Sequence, residues 1–465
     1  MSRREPEIYE FGDFRLDVGE HRVERLSGEP CGSLQEKAFQ TLLALVRNSG
    51  RLVTKDELLS VVWPETIVEE NNLGKAVYAV RSFLGEPAKK YIETVPKHGY
   101  RFVAEVRRIA SNGSGGDRLE GALDAGHRVF IGTSPAYDLY VRGKVKAGSE
   151  NIEDTENAIK VLEAAIAIDP YFAPAYAQLA RAYNTRAFKF SAGPQTKLLQ
   201  ENAEVAVEKA LALDPNLAEA HFARGLILWT KTKGFPHEQA IRSYKRSLEL
   251  DPNSDEAHHQ LSMVYSHTGL LDEAQHEVGK CLEINPNNTM ARFRVGVYCQ
   301  YQGRFEDAQT ILKSIPRDVS PLLVERTTAE VLIQSGRLAE AEAIVDAHLA
   351  RYPKDEGGSF ASVKALLLAK AGKPDEAESL ILRAQEIGRD FGHFHHTAHN
   401  IASACAAMGR QEDAMKWLEH AADNGFPNFT YFRVDPNLEP LRGSAEFNEL
   451  VGKMETLGKR LRTLQ

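Results

Sequence analysis

The first residues follow the strand manner, with Ile8, Phe11, Phe14 and Leu16 apolar, then Val23 and Leu26 after a turn near Val18–Glu20. This patterning predicts three or four short antiparallel strands, with Gly12-Asp13 as a tight connection. From Leu34-Gln35 the period lengthens. Phe39, Leu42, Leu43 and Val46 share one helical face until Asn48-Ser49-Gly50 ends it. After the brief extended piece Arg51–Val53, Thr54 with Glu57 makes a capping box, so a second helix is predicted from about Lys55 to Trp63, stopped by Pro64. A third helix is predicted from about Glu69 to Leu84, because Leu73, Val77, Val80 and Leu84 recur at helical spacing and must face a core. Two strand-like runs, Tyr91–Val95 and Tyr100–Val103, then predict a hairpin with Gly99 supplying backbone freedom beside its tip.

Beyond residue 106 the pattern changes twice. Residues 107–118 are rich in Gly, Ser and Asn and read as a flexible linker, which we extend to 135. From about Ala136 a repeat sets in. Asp169-Pro170, Asp214-Pro215, Asp251-Pro252 and Asn285-Pro286 punctuate it, with Tyr352-Pro353 later. Pro252 and Pro286 are 34 residues apart, the tetratricopeptide period. Within that unit Ala257, Leu261, Tyr265, Gly269, Ala274, Val278 and Cys281 supply the small and bulky positions that let paired helices approach. Roughly eight such repeats are expected over 136–428, with 429–465 as a capping segment. The fold class is therefore multidomain: an α+β unit at residues 6–106, then an all-α solenoid. A solenoid of this kind offers a concave surface to a protein partner or to a second copy of itself.

Charge sharpens the first unit. The formal net charge is −8 over 465 residues. Residues 1–70 carry −5 and residues 71–108 carry +5, so the first 108 residues are neutral and the deficit belongs to the repeats. Segregated positive charge within a small domain suits a nucleic-acid-facing surface, and the acidic repeats should repel phosphate. The outward stripe of the third helix is Asn71, Lys75, Tyr78 and Ser82, edged by Asn72, Ala79 and Arg81. Asn pairs with adenine in a bidentate way, and Lys with guanine or phosphate, when such a helix enters the major groove of double-stranded DNA. Lys97, His98 and Arg101 add positive charge at the hairpin.

The runs Val53–Leu59, Val62-Trp63-Pro64, Leu84-Gly85 and Tyr91–Val103, with Gly99-Tyr100-Arg101-Phe102 as the most specific part, resemble the OmpR/PhoB-type winged-helix domain over residues 6–106. The resemblance implies an N-terminal antiparallel sheet, a three-helix bundle and a C-terminal hairpin wing. The third helix would be the recognition helix, and the wing would approach a minor groove. It also makes Pro64–Glu70 a candidate contact for RNA polymerase. Pro96-Lys97-His98 and the Asn71-Asn72 start look closer to the CadC/ToxR-like branch. No receiver domain precedes these residues, so two-component phosphorylation is not expected.

Hydrophobic content of 43% and charged content of 26% are ordinary for a globular chain. Apolar runs such as Leu42–Val46 and Ala365–Ala369 fall far short of a membrane span. The start Met1–Glu7 has no apolar signal region. Four cysteines without CxxC spacing read as reduced thiols, and a cytoplasmic location is expected. His393, His395 and His399 form a cluster in which His395 and His399 stand at i, i+4. That spacing can share one metal, with a third ligand from His393 or a neighbouring helix; lacking an HExxH glutamate or a cysteine pair, the cluster reads first as helix packing or capping, and no metal or cofactor is expected. No P-loop, GxSxG or dinucleotide motif is present, so no enzyme is expected. The expectation is a DNA-binding transcriptional regulator. The alternative is a protein-interaction scaffold whose winged helix binds protein.

Overall fold

The computed structural model describes residues 8–18, 22–26, 34, 36–63, 70–85, 91–95, 98–109, 135–149, 151–191, 194–316, 319–389 and 391–464. Two compact units emerge, Met1–Asp138 and Leu139–Gln465.

In the first unit, β1 (Ile8–Phe11) and β2 (Phe14–Asp17) join through Gly12-Asp13, and β3 (Arg22–Arg25) pairs with β2. Three helices follow: α1 (Glu36–Arg47), then β4 (Leu52–Thr54) leading directly into α2 (Lys55–Val62), and α3 (Glu70–Phe83). The hairpin β5 (Ile92–Val95) and β6 (Gly99–Phe102) pairs with β4 in the order β4-β6-β5. A final strand, β7 (Val106–Ile109), lies antiparallel to β1 and closes the sheet in the order β3-β2-β1-β7. That strand was not expected, and it crosses the limit that the sequence reading set at 106/107. Its Arg107 and Arg108 disguise it as linker, yet charged residues are what an edge strand carries to avoid pairing with another chain.

The predicted helical faces meet as the periodicity requires. Leu73, Val77, Val80 and Leu84 are buried against Leu42, Leu45 and Val46 of α1 in a common core. Trp63 is only partly buried, flanking that core with the Lys37 ammonium over its ring. Phe11, Phe14, Tyr91 and Phe102 form an aromatic cluster with ring centroids 5.0–6.4 Å apart, which ties the two sheets together. The capping box is complete: the Thr54 hydroxyl accepts from the Glu57 amide at 3.2 Å, and the Glu57 carboxylate accepts from the Thr54 amide at 2.7 Å.

The second unit is a solenoid of paired helices. Its pairs are α4 (Pro135–Lys146) with α5 (Ile152–Ile168), α6 (Ala173–Phe190) with α7 (Pro194–Leu213), α8 (Ala218–Leu228) with α9 (His237–Leu250), and α10 (Asp255–His267) with α11 (Leu271–Ile284). They continue as α12 (Thr289–Tyr301) with α13 (Phe305–Lys313), α14 (Pro321–Gln334) with α15 (Leu338–Arg351), α16 (Ser359–Lys370) with α17 (Pro374–Gly388), and α18 (Phe394–Ala407) with α19 (Gln411–Asp423). Ala257, Ala274, Ala291, Ala308, Ala329 and Ala341 are fully buried where helices touch. The Asp-Pro punctuation has a mechanism. Asp169, Asp214 and Asp251 each accept a hydrogen bond from the amide two residues on, at 3.0, 2.9 and 3.2 Å, an Asx turn that ends one helix and aims the next.

The residues after α19 behave differently from a cap. Helix α20 (Phe429–Val434), a 3-10 turn at Pro436–Leu441 and α21 (Ala445–Arg462) fold back across the array instead of closing its end. Tyr431 and Phe432 are buried. The Tyr431 hydroxyl accepts from Gln334 at 2.7 Å and Gln300 at 3.4 Å, Asn428 donates to the Ser266 carbonyl at 2.8 Å, and Lys245 donates to the Leu464 carbonyl at 2.6 Å. Arg462 pairs with Glu273. Residues 426–441 thus cover the inner helices α10, α12, α14 and α18, which corrects the expectation of an open concave surface there. The physical reason is the apolar and amide character of those inner helices, which the tail satisfies from within the chain.

Candidate nucleic-acid interface

Helix α3 presents one buried and one open side. Lys75, Tyr78 and Ser82 are exposed, Tyr78 to 75%, while Ala79 and Arg81 sit half-buried at the edge. An exposed tyrosine beside a lysine on an otherwise packed helix has no role in the core beneath it. Asn71 and Asn72 occupy the first turn of α3, and their side chains lie outside the described residues.

Arg81 has another task. Its guanidinium donates to the Ile92 carbonyl at 2.6 Å and to the Thr94 hydroxyl at 2.9 Å, which anchors β5 to α3. The exposed stripe and the hairpin are thereby held in one register, with Arg81 as a clamp between them. Arg101 differs from its expected place too. It sits within β6, two residues from Gly99, opposite Glu93, whose carboxylate accepts from it at 3.2 Å. Its charge is therefore partly neutralised and lies away from the tip. At the tip itself, His98 is exposed, its amide donates to the Val95 carbonyl at 3.1 Å, and its carbonyl accepts from the Lys55 amide at 3.1 Å. The hairpin tip is thus fastened to the start of α2. Lys97 and the Pro64–Glu69 loop lie outside the described residues.

Gly99 is required for a reason other than backbone freedom. A Cβ there would stand 2.1 Å from the Val53 carbonyl oxygen, so glycine lets β4 and β6 approach.

Glu57 connects the capping box to Arg51, whose guanidinium lies 2.7 Å from it. Burial alone would push the Glu57 carboxyl up, but the Thr54 amide and Arg51 together hold it below its ordinary value.

The histidines of the repeats rearrange relative to expectation. His399 turns toward the tail, with Nε2 3.4 Å from the Asp435 carboxylate and its ring stacked on Tyr431. His393 and His395 meet instead with His396 and with His267 of α10, which lies too far away in sequence for spacing to reveal. Burial keeps all four neutral, pushing His393 down to about 3.

Comparison with known proteins finds matches in both units. Residues 28–102 match the family described as "Transcriptional regulatory protein, C terminal", and residues 243–276 and 326–347 match tetratricopeptide repeat models. The chain is 34% identical over 93 residues to the transcriptional regulator HilA of Salmonella typhi, a match covering 20% of this chain and 16% of HilA. It is 37% identical over 97 residues to the sensory transduction protein RegX3 of Mycolicibacterium smegmatis, covering 20% of this chain and 42% of RegX3. The DNA-binding domain of Escherichia coli CadC is a similar solved structure at 22% identity and a TM-score of 0.21, covering 23% of this chain and all of that domain. The chain thus spans less than half the length of these two curated relatives. Among the described residues, no helix is long and apolar enough to cross a membrane.

Proposed function

From a chain that carries an OmpR/PhoB-type regulatory domain followed by tetratricopeptide repeats, we infer a cytoplasmic, sequence-specific regulator of transcription. In this reading α3 enters the major groove of double-stranded DNA, with Asn71, Asn72, Lys75, Tyr78, Ala79 and Ser82 toward the bases and phosphates. Lys97 and His98 approach the neighbouring backbone. The single observation that carries it is the exposed stripe Lys75, Tyr78, Ser82 on a helix whose other side is core. The repeats receive a protein partner, a second copy or a signal, and Pro64–Glu70 is the surface offered to RNA polymerase.

A gel-shift series on promoter fragments across a salt range tests this. Lys75→Ala should weaken binding evenly across sequences and lower the salt slope by about 1. Unchanged affinity in Lys75→Ala combined with Tyr78→Ala would overturn it. That outcome would favour the scaffold reading, which the neutral charge of residues 1–108 and the internal pairing of Arg81 and Arg101 support.

A further inference from the structure

Four imidazoles meet where α10 and α18 come together, beside the ring of Phe426 and apart from the winged unit. One ring nitrogen from each of His267, His393, His395 and His396 lies within 4.8 Å of all the others. His267 is 2% exposed. Its Nδ1 lies 2.8 Å from the Met263 carbonyl, and its Nε2 has no hydrogen-bond partner. A carbonyl only accepts, so Nδ1 carries the proton and Nε2 presents a lone pair. His395 repeats this arrangement, with Nδ1 2.8 Å from the Asn424 carbonyl, which leaves its Nε2 as the lone pair. That Nε2 lies 3.4 Å from Nδ1 of His393. His267, fixed by a backbone carbonyl on one nitrogen and bare on the other, is held as metal-binding histidines are, while Nε2 of His395 faces only another imidazole.

The spacing fits an ion. Zinc bound tetrahedrally at about 2.0–2.1 Å from each nitrogen sets neighbouring ligand nitrogens roughly 3.3 Å apart. The His393–His395 pair is already at 3.4 Å. His393 and His396 are half-buried, and His395 also lines a cleft of about 550 Å³ shared with His420 and Asn424. Phe426 and Phe235 wall the remaining sides. Against the ion stand Arg294 and Arg326, whose charge reaches these rings, with Glu330 3.6 Å from Arg326 offsetting part of it.

We propose that His267, His393, His395 and His396 form a site for one divalent transition-metal cation, zinc foremost, that ties α10 to α18 across the array. An all-imidazole set suits zinc, nickel and copper and disfavours magnesium and calcium. The proposal stands whether or not the chain binds DNA.

The test uses the full chain without a polyhistidine tag, stripped with chelator and dialysed against zinc or cobalt. Elemental analysis should find one ion per chain, cobalt should give the visible absorption of a tetrahedral nitrogen site, and bound zinc should raise the melting temperature. Substituting the two half-buried ligands, His393→Asn with His396→Asn, should abolish retention. His396→Asn alone should weaken it about 10-fold or more. His276→Asn, at an exposed histidine on α11, should change nothing. No retained ion in the unsubstituted chain overturns the proposal, as does equal retention in the double variant. Should the double variant fail to fold by circular dichroism, the cobalt spectrum of the unsubstituted chain decides, and absence of the tetrahedral bands overturns the site.

Discussion

At the scale of single residues, three substitutions separate architecture from recognition. Gly99→Ala forces a methyl against the Val53 carbonyl, and backbone cannot yield as a side chain does. It should destabilise the winged unit by about 1–3 kcal/mol, read as faster hydrogen exchange of the β4 and β6 amides in the full chain. Arg81→Ala removes the hydrogen bonds to the Ile92 carbonyl and the Thr94 hydroxyl and should cost about 1 kcal/mol in the same assay. Lys75→Ala should leave exchange unchanged while altering DNA affinity. If Arg81→Ala instead behaves like Lys75→Ala, the clamp assignment fails. The sequence could mark Arg81 as lying at the edge of the outward stripe. It could not show that the guanidinium would find β5, because that contact depends on how the hairpin packs against α3.

At the scale of elements, legibility followed the strength of local signals. Helix α2 was readable because Thr54 and Glu57 satisfy each other's amides, and α3 because four apolar residues keep one helical period. Strand β7 was hidden, since a four-residue edge strand carrying arginines has no period to detect and gains its place only by pairing with β1. Two predictions belong here. Thr54→Ala should cost about 1 kcal/mol in chemical denaturation of the winged unit. Glu57 gives the cap a pH dependence. A carboxyl whose folded value is lowered contributes stability that is fully present above its unfolded pKa of about 4.3 and is lost as pH falls through the lower folded value. Glu57→Gln should therefore flatten the acid limb of the stability curve, while an unchanged limb would show that the box carries no charge-dependent stability.

Across the whole molecule, the repeats were legible as a class but their interior was not. The 34-residue spacing and the buried alanines reveal paired helices. Nothing local in residues 426–441 announces that they will lie along α10, α12, α14 and α18, because each contact joins distant segments, as Gln334 to Tyr431 and Ser266 to Asn428 do. Phe432→Ala should remove about 3–5 kcal/mol from the array and raise binding of an apolar dye, with an unaltered melting curve counting against the packed interior. With the inner face of these repeats covered by the chain itself, a protein partner must either use the outer helices or displace the tail.

That tail also sets an order of events during synthesis. Arg462 leaves the ribosome 189 residues after Glu273, the carboxylate it pairs with. Domains emerge and fold from the N-terminal side first, and contacts between segments so far apart form slowly. The winged unit can therefore be complete while the inner helices still show their apolar and amide groups to solvent. During that interval the array carries the exposed apolar surface that promotes aggregation, and the emergence of residues 426–464 ends it.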